Sequence, residues 1–182
     1  HADYLPHAVM IDCTASDVVP QQYLDWLQSG IHVITPNKKA SSGKMSYYSA
    51  IKELTHKTQS RFLYETTVGA GLPVINTLRD LVQTGDKIIE IEGILSGTLS
   101  FIFNSLSADK KFSDVVMDAK QRGFTEPDPR DDLSGLDFAR KVVILAREMG
   151  SNIELSDVKI QGLVPPDLQK GDVDSFMKKL PS

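Results

Sequence analysis

The chain has 182 residues, 41% of them hydrophobic and 24% charged, with a net charge of −4; this composition argues against disorder except at the ends. The acidic balance and the lack of a Lys/Arg block argue against a nucleic-acid partner, and no apolar run reaches the ~18 residues of a membrane span. Its one cysteine, Cys13, permits no internal disulfide and fits a reducing compartment.

The elements follow in order. Ala8–Cys13 (AVMIDC) reads as a buried strand. Thr14–Asp17 reads as capping chemistry for a helix over Val18–Gln28 that ends at Gly30. His32–Thr35 is a second strand with Pro36–Lys39 as its exit loop. Met45–Thr58 is an amphipathic helix and Phe62–Glu65 a third strand. This alternation predicts a parallel sheet, whose ligands lie at the carboxyl ends of the strands. After Gly71 the pattern changes. Leu72–Gln83 reads as a helix and Lys87–Leu95 as an alternating strand. Ser96–Thr98 opens a helix through Leu106, and Phe112–Arg122 is another. A helix to Met149, a short strand at Val158–Ile160 and a last helix at Val173–Leu180 complete the reading. The start at His1 rather than Met, in a loop-like segment, and the end in KKLPS suggest a fragment of a longer protein.

Gly123–Lys141, GFTEPDPRDDLSGLDFARK, is the most informative stretch, with one Glu, four Asp, two Arg and one Lys in nineteen residues. Pro127 and Pro129 fix φ and push the residues before them toward extended backbone, so the acidic side chains are pre-oriented. Asp137 and Lys141 share one helix face. A carboxylate beside an ammonium suits a small zwitterion and a proton transfer, although the spacing alone favours a surface ion pair. Asp132 or Ser134 is a candidate N-cap. An EF-hand is excluded, because Leu133 and Ala139 stand where its Gly and Glu belong.

Gly97-Thr98 opens a helix whose N–H groups favour an anion, with Ser96 as a plain cap. Gly69-Ala70-Gly71 imitates a dinucleotide loop, but Leu72-Pro73 follows and Val74 takes the third glycine position. The histidines (His1, His7, His32, His56) lack metal-ligand spacing. Cys13 reads as an inert strand cysteine, and Tyr23, Trp26 and Leu27 as one packing face.

In these residues the chain resembles the homoserine dehydrogenases. The likeness runs through Ala119, Gly123, Asp128-Pro129, Asp132, Gly135, Asp137 and Lys141. It extends through TPNKKA (Thr35–Ala40), ETTVGAGLP (Glu65–Pro73) and EGILSGTLSFIFN (Glu92–Asn104). The wording is closest to the dehydrogenase half of the bifunctional aspartate kinase–homoserine dehydrogenases of bacteria and plants. The resemblance implies reduction of aspartate 4-semialdehyde to homoserine with NADPH or NADH, on the route to threonine and methionine. It implies an α/β fold class: a partial Rossmann-type parallel sheet followed by an α+β catalytic and dimerisation domain. Residues 1–71 would be the second half of the NAD(P)-binding domain and 72–182 the catalytic part. A phosphate loop is expected upstream and further chain downstream. A homodimer or higher homo-oligomer, a fused aspartate kinase domain, and a cytoplasmic or plastid setting are also implied.

By the same resemblance Lys141 is the proton donor. A lysine ammonium can protonate the developing alkoxide, more readily if burial lowers its pKa. Glu126 and Asp137 contact substrate, Asp132 lies in the same pocket, and Gly97 and Thr98 have a substrate role. Thr14 and Lys38 contact the nicotinamide nucleotide; helix capping is a compatible reading of Thr14, and Lys39 reads as a solvated neighbour. Glu65, Val68, Ala70 and Leu72 hold a sodium ion, mostly through main-chain carbonyls, with an ion-free glycine-rich hinge as the alternative. Phe124 stands where many relatives carry Tyr. Two rivals stand beside this reading: a non-catalytic dimerisation piece, and a dehydrogenase of a related amino-acid semialdehyde.

Overall fold

Three short strands, β1 (Ala8–Ile11), β2 (Ile31–Ile34) and β3 (Phe62–Leu63), form a parallel sheet in the order β1-β2-β3. The computed structural model describes residues 7–180, so the loop-like ends expected at 1–6 and 181–182 lie outside the described residues. The helices that cross between the strands are α1 (Tyr23–Gln28), the one-turn α2 (Lys39–Ser42) and α3 (Met45–Thr58). Met10, Val33 and Phe62 align in register on one face. Tyr23, Leu27 and Ile51 from α1 and α3 are fully buried, and the Tyr23 and Phe62 rings meet with centroids 5.7 Å apart.

The opposite face corrects the expectation of a buried first strand. Ile11, Ile34 and Leu63 are aligned there and are 63%, 38% and 43% exposed. The apolar run does mark a strand, but among the described residues β1 is the outer strand of the sheet, and its residues are half-buried or exposed. Cys13 is also corrected. It lies beyond the strand and is exposed, because the chain turns Asp12 inward instead.

The helix expected over Val18–Gln28 opens as a 3₁₀ turn at Val19–Gln22, with Pro20 in its first turn. Proline has no N–H to give to the helix interior. The exit loop after β2 runs through Lys38, and α2 takes over from it at Lys39. After β3, Glu65–Thr67 forms a 3₁₀ turn and α4 spans Val74–Gln83.

Two compact units result. One takes in the chain up to Ile91 together with Arg140–Val158, and the other takes Glu92–Ala139 together with Lys159 onward. The second unit contains α5 (Gly97–Ser105), α6 (Phe112–Gln121), α7 (Pro129–Leu133) and α9 (Val173–Lys179). Ile102, Val116, Leu133 and Phe176 lie in its apolar core. Helix α8 (Leu136–Glu148) is continuous, and the division between the units falls within it. The single helix expected from the acidic turn to Met149 is therefore two. Gly135, at φ 77°, takes the left-handed backbone that separates them.

Residues 87–95 and 158–160 form no strand, contrary to expectation. Ile89, Ile91 and Ile94 are 93%, 46% and 66% exposed. Alternating apolar residues specify a strand only where a neighbouring strand accepts the ladder.

Candidate active site

The acidic turn is held by its own carboxylates. Asp128 caps α7, accepting the Arg130 N–H at 3.0 Å and gripping the guanidinium through Nε at 2.9 Å and Nη2 at 2.6 Å. Pro129 takes the first helical position, where a missing N–H is no loss. The Arg130 guanidinium holds the Asp128 carboxyl below the usual carboxylate range. This corrects Asp132 as a capping candidate: its Oδ2 accepts the backbone N–H of Glu126 at 2.8 Å. The other candidate, Ser134, accepts the Leu136 N–H at 3.3 Å where α8 begins. Asp132 thus fixes the backbone of Glu126, whose side chain is exposed.

The start of α5 is fastened to this turn. Ser96 is the expected cap, its Oγ accepting the Leu99 N–H at 3.1 Å. Helix geometry leaves the first amides, those of Gly97 and Thr98, without intrahelical acceptors. Thr98 Oγ1 donates to the Phe124 carbonyl at 2.6 Å, and the Phe101 and Phe124 rings meet edge-on at 4.9 Å. Gly97, Thr98, Ser100, Phe101, Asn104 and Phe124 line an open cavity of about 570 Å³, within the size range of ligand pockets. Ser100 and Asn104 escaped the sequence reading. Their signal was an i,i+4 polar pair on a mostly apolar helix, and Asn104 Nδ2 donates to Ser100 O at 2.8 Å.

Asp137 and Lys141 both stand on α8, at the expected spacing of four. The end of that helix carries a buried polar cluster. Arg147, 4% exposed, donates from Nη1 to Ser41 O at 2.8 Å and from Nη2 to Gly43 O at 2.7 Å and Ile153 O at 2.9 Å. The Glu148 side chain is 3% exposed; it accepts from the Tyr64 hydroxyl and from Tyr48 at 3.1 Å, and it pairs with Arg79 at 3.2 Å. Burial, then the Glu148 charge, pushes the Tyr48 phenol up to about 12.

At the carboxyl ends of β1 and β2, Thr14 is exposed and Lys38 immediately precedes α2. Thr14 Oγ1 accepts the Ser16 N–H at 3.2 Å and caps no helix; Ser16 Oγ accepts from Val18 and Val19 at 3.0 and 3.2 Å, ahead of a 3₁₀ turn whose N-cap, Val18, makes no side-chain cap bond. Lys39 is ion-paired with Asp17.

The Glu65 carboxylate accepts the N–H groups of Ile75 at 2.8 Å and Asn76 at 2.9 Å. It therefore places negative charge at the N-terminus of α4. Between them, Gly69 (φ 80°) and Ala70 (φ 52°) are both left-handed. A Cβ at Gly69 would stand 2.5 Å from Val74 Cγ2, so only glycine fits there. Among the described residues no group of three or more His, Cys, Asp or Glu could hold a metal ion.

Residues 73–179 match the family model described as homoserine dehydrogenase, and residues 2–65 match that of its NAD binding domain. The chloroplastic bifunctional aspartokinase/homoserine dehydrogenase 2 of Arabidopsis thaliana is 57% identical over 180 residues, which are 98% of this chain and 20% of that protein. The bifunctional enzyme of Haemophilus influenzae is 49% identical over 179 residues, 98% of this chain and 22% of its own. This chain thus spans about a fifth of the length of these relatives. A crystal structure of a Candida auris protein of unknown function superposes with a TM-score of 0.91 at 44% identity, over 99% of this chain and 53% of that one. A mutant hyperthermophilic archaeal homoserine dehydrogenase in complex with NADPH gives a TM-score of 0.71 at 30% identity, over 79% of this chain and 44% of that one.

Proposed function

The chain belongs to the homoserine dehydrogenase family, and from that premise we propose that the protein carrying it interconverts L-aspartate 4-semialdehyde and L-homoserine with NADPH or NADH. The observation that carries this reading is the joining of α5 to the acidic turn. Thr98 bonds to Phe124, and Asp132 bonds to the backbone of Glu126, beside a ligand-sized cavity. The amides of Gly97 and Thr98 receive the substrate's α-carboxylate. Glu126 and Asp137 take its α-ammonium, and Asp132 holds Glu126 in place.

The loops after β1 and β2 fit a nicotinamide nucleotide, because Thr14 is exposed at the ligand end of a parallel sheet and Lys38 follows β2 at the same end. When bound, that nucleotide supplies the hydride to the aldehyde carbon. Lys141 then gives a proton from its ammonium to the oxygen on that carbon, is left as a neutral amine and regains a proton from solvent. In the oxidative direction its neutral amine accepts the hydroxyl proton. The NADPH-bound archaeal relative supports nicotinamide nucleotide use.

The same reading gives the Glu65–Leu72 loop a sodium ion, held by Glu65 and by carbonyls of Val68, Ala70 and Leu72. Two successive left-handed residues support this, since they bend the chain sharply between those carbonyls. Exchanging sodium for a large organic cation should lower activity and melting temperature, and no response to the exchange would remove the ion from the proposal.

The two family models meet between residues 65 and 73, which supports 1–71 as a nucleotide-binding half and 72–182 as a catalytic and dimerisation part. The exposed Ile89, Ile91 and Ile94 support pairing of residues 87–95 with a second copy in a homodimer or larger assembly. The relatives' names support a fused aspartokinase domain, and the plant relative's name supports a plastid setting; the cytoplasm is the alternative setting. No helix among the described residues is long and apolar enough to cross a membrane.

Lys141→Ala in the whole protein tests the central assignment. Homoserine oxidation should fall by about 10²–10⁴ with the fold intact by circular dichroism. Turnover near wild type would remove Lys141 from the chemistry. A piece without catalysis would neither bind NADPH nor oxidise homoserine, and preference for another amino alcohol would move the substrate.

A further inference from the structure

Asp12 is the first residue after β1 and only 3% exposed. A buried carboxylate is costly unless donors surround it, and an apolar residue of similar size often serves stability as well or better. Here the donors come from both loops at the ligand end of the sheet. Oδ1 accepts the backbone N–H of Thr14 at 2.8 Å. Oδ2 accepts from the Tyr23 hydroxyl, and Asn37 Nδ2 stands 3.4 Å away.

The second loop is tied to the first at further points. Thr35 Oγ1 donates to the carbonyl of Asp12 at 2.8 Å and accepts the Asn37 N–H at 2.9 Å. Asn37 Nδ2 donates to Ser16 O at 2.9 Å. The Thr14 backbone and the residue just before Lys38 are thus set by one buried group. Tyr23, fully buried on α1, sits beneath both loops, with its hydroxyl also 3.1 Å from Thr35 Oγ1.

We infer that Asp12 and Tyr23 are positioning residues for the nucleotide: they lock the Thr14 and Asn37-Lys38 loops into the binding geometry before the nucleotide arrives. The inference rests on the reading of Thr14 and Lys38 as nucleotide contacts. Pre-set loops spare the ordering that binding would otherwise require. The protonation states suit this role. Burial pushes the Asp12 carboxyl up, but hydrogen bonds from Tyr23, Thr14 and Asn37 together hold it below its ordinary value. Burial, with Asp12 alongside, pushes the Tyr23 phenol up, so it remains a donor.

The test uses the whole protein with NADPH as the probe. Tyr23→Phe keeps the packed ring and removes the hydroxyl; Asp12→Asn keeps the size and removes the charge. Tyr47→Phe is the structural control, because it removes a hydroxyl bonded to Pro20 O in the same unit. NADPH affinity by fluorescence titration should fall about fivefold in Tyr23→Phe and about tenfold or more in Asp12→Asn. KM for homoserine at saturating nucleotide should stay within about twofold of wild type, and Tyr47→Phe should bind NADPH normally. Thr14→Ala and Lys38→Met serve as references. If they weaken NADPH binding while Tyr23→Phe does not, this inference fails and the nucleotide site stands. If they too bind normally, the nucleotide site itself is misplaced and the inference falls with it. A loss in Tyr23→Phe matched by Tyr47→Phe would reduce the hydroxyl to general packing and overturn the proposal.

Discussion

Glu148 and Glu126 are both anchored carboxylate residues, but they are anchored by different atoms. Glu148 has its side chain 3% exposed, with its oxygens engaged by Tyr48, Tyr64 and Arg79. Glu126 is held through its backbone, by Asp132, and its side chain faces solvent. The first arrangement spends the charge inside the protein, where an unpaired carboxylate would cost several kcal/mol. The second orients a charge and leaves it available to a ligand. The two glutamates thus differ in which atoms are already engaged: the side-chain oxygens of Glu148 and only the backbone N–H of Glu126.

That contrast is broken most directly at Arg147, the neighbour of Glu148. Its side chain is fully buried against three carbonyls and Glu154. Arg147→Leu leaves those carbonyls without their donor and should lower stability by about 3–4 kcal/mol in urea denaturation. A loss under about 1 kcal/mol would mean that the cluster is replaceable. Ser96→Ala, which removes the cap of α5, should cost about 1 kcal/mol. It should also raise KM for homoserine if the helix start binds the substrate. Glu126→Gln belongs to the other class. Its stability should change by less than about 0.5 kcal/mol while KM for homoserine rises about tenfold. A stability loss as large as that of Arg147→Leu would erase the distinction between the clusters.

The parts legible in the sequence are those fixed by neighbouring residues. Helix α3 occupies the expected Met45–Thr58, ended by Gln59 in the left-handed region. Ser96 caps as its position before a helix predicts. The parallel sheet follows from the alternation of strands and crossing helices. Capping chemistry alone could not choose among the acidic residues, and Asp128 became the cap because Pro129 follows it at the first helical position. The burial of β1 was misjudged because AVMI cannot show whether its strand is an inner or an outer one. The buried cluster was invisible for a different reason. Tyr64 meets Glu148 across 84 positions and Arg147 meets Ser41 across 106, and nothing local records such a pairing. For the candidate site, sequence supplied the residue types, while the bonds from Thr98 to Phe124 and from Glu126 to Asp132 required the fold.

The smallest effect sharpens the comparison further, because Asp128 both holds structure and lies in the acidic turn. Its side chain is 26% exposed and that of Arg130 13%, so the pair still touches solvent and is partly screened, and Asp128→Asn should cost a few tenths of a kcal/mol to about 1 kcal/mol at neutral pH. Asparagine keeps an oxygen for the Arg130 N–H, so the cap survives and the loss isolates the charge. The sign with pH follows from the lowered folded-state value, set chiefly by the Arg130 hydrogen bond. The stability that this carboxylate adds is complete above its ordinary value of 3.8 and disappears as pH falls through the lower folded value. Wild type should therefore lose more stability than Asp128→Asn between about pH 5 and about pH 2, and their urea midpoints should converge at the acid end. Parallel curves over that range would show that the Asp128–Arg130 pair contributes geometry to the turn and no net electrostatic stability.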